Sequence, residues 1–135
     1  MAIRQIESVQ RQFTKRLPGC AHLDYASRLS KLNIQSLELR RLHLDLLYVY
    51  KILFGLVDIV VTDLFSPFNN CHNTRGHAFK LKSNNCRVNI RQHYFAERVI
   101  NPWNSLHAEV KDFESLASFK RCLYKNNLET FIAIC

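Results

Sequence analysis

The sequence predicts a mainly α fold: five to six helices around a central helix at 36–54, with one small β-hairpin near 77–91. Three observations lead there. Apolar residues recur at spacings of three and four through 3–17, 36–54, 92–105 and 115–126. Cap residues and Pro or Gly punctuate those runs. Between 79 and 91 the period drops to two. At 135 residues and 47% hydrophobic, residues 1–135 are expected to form a single domain with a real core, since chains usually divide only beyond about 250 residues.

The first helix covers 3–17. Ile3, Ile6, Val9, Phe13 and Leu17 share one side, while Arg4, Arg11 and Lys15 lie opposite with Arg16 at the edge, and Pro18-Gly19 ends the run. A membrane-surface helix is one reading of this pattern. The stripe is narrow and lacks Trp, so packing inside the domain is the expectation. A second helix starts with Asp24 as N-cap and runs to about Leu32, burying Tyr25, Leu29 and Leu32. The third has Ser36 as N-cap, Glu38 in its first turn and Gly55 as the C′ glycine. Leu39, Leu42, Leu46, Val49, Tyr50 and Leu53 make its stripe. Leu44, Leu47, Tyr48 and Ile52 fall outside it, so the helix is apolar on much of its circumference and should centre the core or face a partner.

Beyond Gly55, residues 62–65 allow one helical turn and 66–70 form a turn-rich break. Phe79 and Leu81 then alternate with Lys80 and Lys82, residues 83–85 make a loop, and Val88 and Ile90 alternate with Arg87, Asn89 and Arg91. That pattern predicts a hairpin with one apolar and one basic face, its apolar face lying on the helices. A helix at 92–105 puts Phe95, Val99 and Trp103 on one side; Pro102 requires either a break at Asn101 or a new helix with the proline in its first turn. The last helix runs from Ser115 as N-cap to about Asn126 and buries Leu116, Phe119 and Leu123.

Charge narrows the class of partner. The chain carries 19 Lys+Arg against 11 Asp+Glu, a formal +8. Residues 1–51 hold +5 and 75–98 another +5, whereas 52–74 hold two acids and no base. Such a surplus suits a polyanion. Arg4, Arg11, Lys15 and Arg16 on the first helix, and Lys80, Lys82, Arg87 and Arg91 on the hairpin, are the candidate phosphate contacts. Phe79 and Tyr94 are their aromatic neighbours, with Phe79 assigned to the core because it points away from Lys80. The competing reading is a solvated helix face and an edge strand protected by charge. Arg40, Arg41 and Lys51 are expected to solvate the third helix.

Other chemistry is weakly supported. Cys20, Cys71, Cys86, Cys122 and Cys135 are odd in number and contain no Cys-x-x-Cys pair, which predicts reduced thiols. Cys71 and His72 are adjacent, and with His77 and Cys86 they fit no zinc spacing. Cys20 with His22 has no visible orienting partner for thiol catalysis. No cofactor is therefore expected. Residues 1–20 lack an apolar signal core, and Leu42–Val61 is interrupted by Asp45, Lys51 and Asp58, short of the roughly 18 apolar residues of a span. An intracellular protein, cytoplasmic or nuclear, with no membrane partner is expected.

An ordered series of segments resembles a known family. It runs from Ile6-Glu7-Ser8-Val9-Gln10-Arg11 and Phe13-Thr14-Lys15-Arg16-Leu17-Pro18-Gly19 through Tyr25 and Arg28-Leu29. It continues with Leu37-Glu38-Leu39-Arg40-Arg41-Leu42, Asp45-Leu46 and Tyr48-Val49-Tyr50-Lys51-Ile52-Leu53. It ends with Thr74-Arg75-Gly76-His77, Arg98-Val99-Ile100-Asn101, Trp103-Asn104-Ser105-Leu106 and Phe119-Lys120-Arg121. Together these resemble the segment just after the palm in reverse transcriptases of non-LTR (LINE-type, jockey-like) retrotransposons. The chain departs from that pattern at His107, where the family usually has proline, and at Ala26-Ser27, where it has acids. The resemblance implies the thumb and post-thumb portion of an RNA-directed DNA polymerase, with palm and endonuclease absent. Two-metal nucleotide transfer needs paired carboxylates, and no Asp-Asp, Asp-x-Asp or Glu-x-Asp pair occurs. The expectation is a non-catalytic fragment that grips RNA or an RNA–DNA hybrid. The alternatives are a protein-interaction remnant, pairing with the missing palm or self-associating through helix 36–54, and a truncated element copy with no selected function.

Overall fold

Four of the helix ends carry the capping hydrogen bonds that their residue types favour. The structure, a computed structural model, describes residues 2–67, 75–85 and 87–132 and is mainly helical. Its helices are α1 (Ala2–Lys15), α2 (Tyr25–Leu32), α3 (Leu37–Leu53), α4 (Val61–Leu64), α5 (Asn89–Gln92), α6 (Phe95–Arg98), α7 (Ile100–Asn104) and α8 (Leu116–Lys125). Short 3-10 turns lie at Val110–Phe113 and Glu129–Phe131. The Asp24 carboxylate accepts from the Ser27 N–H at 3.4 Å, Ser36 Oγ from Leu39 N–H at 3.2 Å, and Ser115 Oγ from Ser118 N–H at 3.1 Å, each satisfying a donor at a helix start. Gly55, at φ +68°, ends α3 with the Leu56 N–H donating to the Lys51 carbonyl at 2.8 Å and its own N–H to Ile52 at 3.3 Å. A residue with a Cβ is strained in that left-handed geometry.

The chain divides into two compact units, one from Met1–Leu42 with Leu128–Cys135 and one from His43–Asn127. In the first, α1 turns an unexpected face inward. Its buried residues are Glu7 and Thr14, while Ile6, Val9 and Phe13 of the predicted core stripe are 58%, 67% and 63% exposed. Polar hydrogen bonding decides this orientation. The Glu7 carboxylate, 1% exposed, accepts from the Leu37 and Glu38 N–H groups at 3.2 Å each and from the Tyr25 hydroxyl. It thus satisfies the open start of α3 from thirty residues away, at the end of the helix dipole that favours a negative charge. Buried Arg28 donates to Thr14 Oγ1 at 3.2 Å and to the carbonyls of Leu23 at 2.5 Å and Arg11 at 3.4 Å. Tyr25, Leu29 and Leu32 are half-buried rather than buried. Burial, then the Glu7 carboxylate beside it, pushes the Tyr25 hydroxyl up to about 12, so it stays the donor.

The second unit is built on aromatic contacts. Trp103 and Phe119 are fully buried, with ring centroids 5.4 Å apart; Phe113 lies 5.6 Å from Phe119, and Tyr50 stacks on Phe119 at 4.7 Å. From α3 come buried His43, Leu46, Val49, Tyr50 and Ile52. Ile52, outside the predicted stripe, is fully buried, and Leu53, inside it, is half-buried. The Tyr50 hydroxyl donates to the Phe113 carbonyl at 2.8 Å. Pro102 sits in the first turn of α7, where a missing N–H removes no intrahelical bond.

The predicted hairpin does not form among the described residues. The Leu81 N–H donates to Asn104 Oδ1 and its carbonyl accepts from Asn104 Nδ2, both at 2.8 Å. A side-chain amide thereby occupies both groups that a strand neighbour needs. One antiparallel bridge, Pro67 with Leu81, and the Lys82 N–H donating to Ser66 at 2.9 Å complete that stretch. Without a partner, the second arm coils: the N–H groups of Arg91 and Gln92 both donate to the Val88 carbonyl, giving α5, and Val88 and Ile90 are exposed.

Removing either clasp has a cost. Asn104→Ala leaves two backbone groups of buried Leu81 unpaired and should destabilise the protein by about 2–4 kcal/mol in urea unfolding. Glu7→Ala uncaps α3 and strands the Tyr25 hydroxyl, for a loss of about 2–3 kcal/mol by the same measurement.

Candidate nucleic-acid interface

The two predicted cationic blocks lie in different units. On α1, Arg4, Arg11, Lys15 and Arg16 are exposed at or just beyond the helix. Arg11 lies over the Tyr25 ring, 4.7 Å from its centroid, so part of its role is to cover the α1–α2 seam. Among the described residues, Arg4, Lys15 and Arg16 make no side-chain hydrogen bond or ion pair, which leaves their charges to solvent.

In the second unit the basic hairpin face is replaced by a cleft. Its volume is about 490 Å3, and Ser83, Asn84, Asn85, Arg87, Gln92, His93, Glu97, Arg98 and Asn101 line it. Arg87 reaches the cleft directly; Lys82 precedes its first residue, and Arg91 sits on α5 beside Gln92. All three are exposed. Lys80 is turned to another use: its ammonium donates to the Arg75 carbonyl. That bond closes the loop over Gly76, where φ is +110° and an added Cβ would meet Lys80 Cε at 2.9 Å. Lys80, predicted as a phosphate contact, is half-buried and clasps this loop.

The walls are held by other polar pairs. The Arg98 guanidinium donates to Asp45 Oδ2 at 3.2 and 2.8 Å and to the His93 carbonyl at 3.2 Å. Asn84 Nδ2 donates to Glu97 at 3.2 Å. Asn85, Gln92 and Asn101 add amides, which both donate and accept. Exposed Tyr94 stands between α5 and α6, while Phe79, assigned to the core by the alternation, is 37% exposed, its ring centroid 4.7 Å from Phe113 and 5.1 Å from Phe54. Cations for phosphates, amides for base edges and an open aromatic ring are the components of a single-strand groove.

The other candidate chemistries separate in space. His77 is buried in a purely structural role. The Phe79 N–H donates to its Nδ1 at 3.2 Å, and its Nε2 bonds the Trp103 carbonyl at 2.8 Å. The first contact needs a bare Nδ1, so Nε2 carries the hydrogen. Cys71, His72 and Cys86 lie outside the described residues. Among the described residues no three His, Cys, Asp or Glu side chains converge to hold a metal, and no helix is long and apolar enough to cross a membrane. Cys20 is buried while His22 is exposed. Burial pushes the Cys122 thiol up, the opposite of activation.

The chain matches no protein-family profile, no curated protein and no solved structure. Its function is argued from this geometry.

Sequence reasoning places Arg87 and the Lys82 and Arg91 beside it, and misses the amide wall. The Ser83-Asn84-Asn85 run is the available signal, but it reads equally as a turn; Gln92, His93 and Asn101 join it only through the fold.

Burial holds both His77 and His43 below the ordinary 6.5. Each stays neutral in the folded chain while the unfolded chain takes up a proton, so stability is complete above pH 6.5 and falls as pH drops below it. Thermal melts between about pH 7.5 and 5 should show this loss, at most about 1.4 kcal/mol per pH unit for each histidine. His77→Asn should roughly halve the slope.

Proposed function

We propose that the chain is a non-catalytic nucleic-acid-binding piece, like the grip of a reverse transcriptase rather than its active site, that holds RNA or an RNA–DNA hybrid. The observation that carries this reading is the amide-lined cleft with Arg87 on its wall and Lys82 and Arg91 beside it, three exposed cations without internal partners among the described residues. Arg4, Lys15 and Arg16 supply a second, sequence-blind set of phosphate contacts, and Arg11 joins them from its place over Tyr25. The resemblance to the post-palm region of non-LTR retrotransposon enzymes names the polyanion as template–primer. The chain has no Asp-Asp, Asp-x-Asp or Glu-x-Asp pair of the kind two-metal transfer uses, which supports binding rather than polymerisation.

A second reading, a protein-interaction piece, is favoured by one feature: the exposed Ile6, Val9 and Phe13 on α1. A palm domain is one partner such an apolar stripe suits.

Fluorescence polarisation with a labelled single-stranded RNA and with a labelled RNA–DNA hybrid separates the two. Binding should weaken steeply between about 50 and 200 mM salt, by about 10-fold or more. Replacing Lys82, Arg87 and Arg91 together by Ala should cut affinity at least about 10-fold and lower the salt slope by roughly one for each phosphate no longer neutralised. Unchanged affinity in that variant overturns the cleft assignment, and no binding even at the low-salt end overturns the nucleic-acid reading as a whole.

A further inference from the structure

The second unit has another opening, unlike the cleft in character. A groove of about 550 Å3 runs along α3 between α6 and α8. Its apolar lining is Leu44, Leu47 and Tyr48 from α3, Phe95 from α6 and Leu116 from α8. Tyr48 packs edge-on against Phe95, with centroids 5.9 Å apart, while Leu44 and Tyr48 remain exposed. Lys51 and Lys120 also line it, as does Asp45. Asp45 is neutralised by Arg98 at 2.8 Å. Neither lysine has a partner among the described residues, so the open charge in this apolar groove is positive.

The same unit carries a segment of the opposite character. Residues 55–65 read Gly-Leu-Val-Asp-Ile-Val-Val-Thr-Asp-Leu-Phe, inside the 52–74 stretch that carries two acids and no Lys or Arg. Asp58, Asp63, Leu56 and Val60 are exposed along it. It follows α3 directly, only four residues beyond Lys51. An apolar groove with two free lysines and an exposed apolar segment with two aspartates thus belong to one unit. This is the arrangement that lets two copies exchange contacts across a two-fold axis, each segment meeting the other's groove.

We propose that the groove is the seat of a second copy of this chain, with Leu56 and Val60 of one protomer covering Leu44, Leu47 and Tyr48 of the other and Asp58 and Asp63 facing Lys51 and Lys120. A chain of +8 repels its own copies in general, and this is the stretch that approaches a positive groove without that repulsion. The apolar contact supplies the association and the charges fix its register.

Sedimentation velocity on nuclease-treated protein at about 150 mM salt, where long-range repulsion is screened, tests the pairing, with circular dichroism confirming equal helix content in every variant. Wild type should be a dimer at tens of micromolar. The pair Lys51→Glu with Lys120→Glu, and separately the pair Asp58→Lys with Asp63→Lys, should each weaken the dimer at least about 10-fold. All four substitutions together should restore it to within about threefold of wild type. A wild-type monomer at every concentration overturns the proposal, including one that binds an acidic amphipathic peptide in the groove instead. So does a dimer insensitive to both pairs, or a fourfold variant weaker than either parent pair.

Discussion

The second unit depends on two adjacent residues. Trp103, fully buried, donates its indole N–H to the Phe79 carbonyl at 2.7 Å and receives His77 Nε2–H on its own carbonyl at 2.8 Å. Asn104 pairs both backbone groups of Leu81. Together they pin 77–81 to the aromatic core without any sheet. A peptide-like amide is suited to this, because one side chain presents a donor and an acceptor at the spacing of a backbone partner. The chain repeats the device: the Asn126 side chain accepts from the His107 N–H at 2.8 Å and donates to the Cys122 carbonyl at 2.9 Å. Two asparagines therefore do for irregular segments what a strand does in a sheet, and the cleft beginning at Ser83 hangs from the first of them.

Segments far apart in the chain pair with one another. Asp45 of one meets Arg98 of another; His77 of a third meets Trp103 of a fourth. In the first unit, Glu7 holds the start of α3 through the Leu37 and Glu38 N–H groups, and Thr14 receives Arg28. These residue types are thus explained by internal satisfaction: buried polar groups left unpaired cost about 1–3 kcal/mol each, so each needs its counterpart. A series of this kind can mark a shared framework while saying little about chemistry, and the function has to be sought among residues that the framework leaves open.

Legibility follows the same division. Helix starts at Asp24, Ser36 and Ser115 are readable because an N-cap is a local event, one side chain acting on an N–H three residues away. The outward face of α1 is not. Periodicity assumes that burial is won by apolar side chains, and here Glu7, Gln10 and Thr14 face inward because partners at Leu37, Gln35 and Arg28 await them, far off in the chain. The hairpin fails for the same reason: alternation shows that residues 79–82 are extended, but not that Asn104 takes the place of a second strand. The cleft's basic residues are legible in the sequence and its shape is not, since Arg87 and Asn101 come to line one cleft only once α5 to α7 have folded.

The division of cations between fold and surface finally bears on what the protein can hold. Arg28, Arg98 and Lys80 are consumed by carbonyls, a hydroxyl and one carboxylate, and Arg11 is spread over Tyr25. Arg4, Lys15, Arg16, Lys82, Arg87 and Arg91 have no side-chain partner among the described residues, although the chain contains 11 acids. Folding alone favours neutralising such charges, because net self-repulsion opposes the compact state. Two sets of them, one on α1 and one beside the amide-lined cleft, concentrate positive charge, and under the proposed function each set gives up part of that repulsion to the phosphates of a bound polyanion. These six positions add to the chain's self-repulsion, which is why the proposed binding is expected to depend on them and on salt.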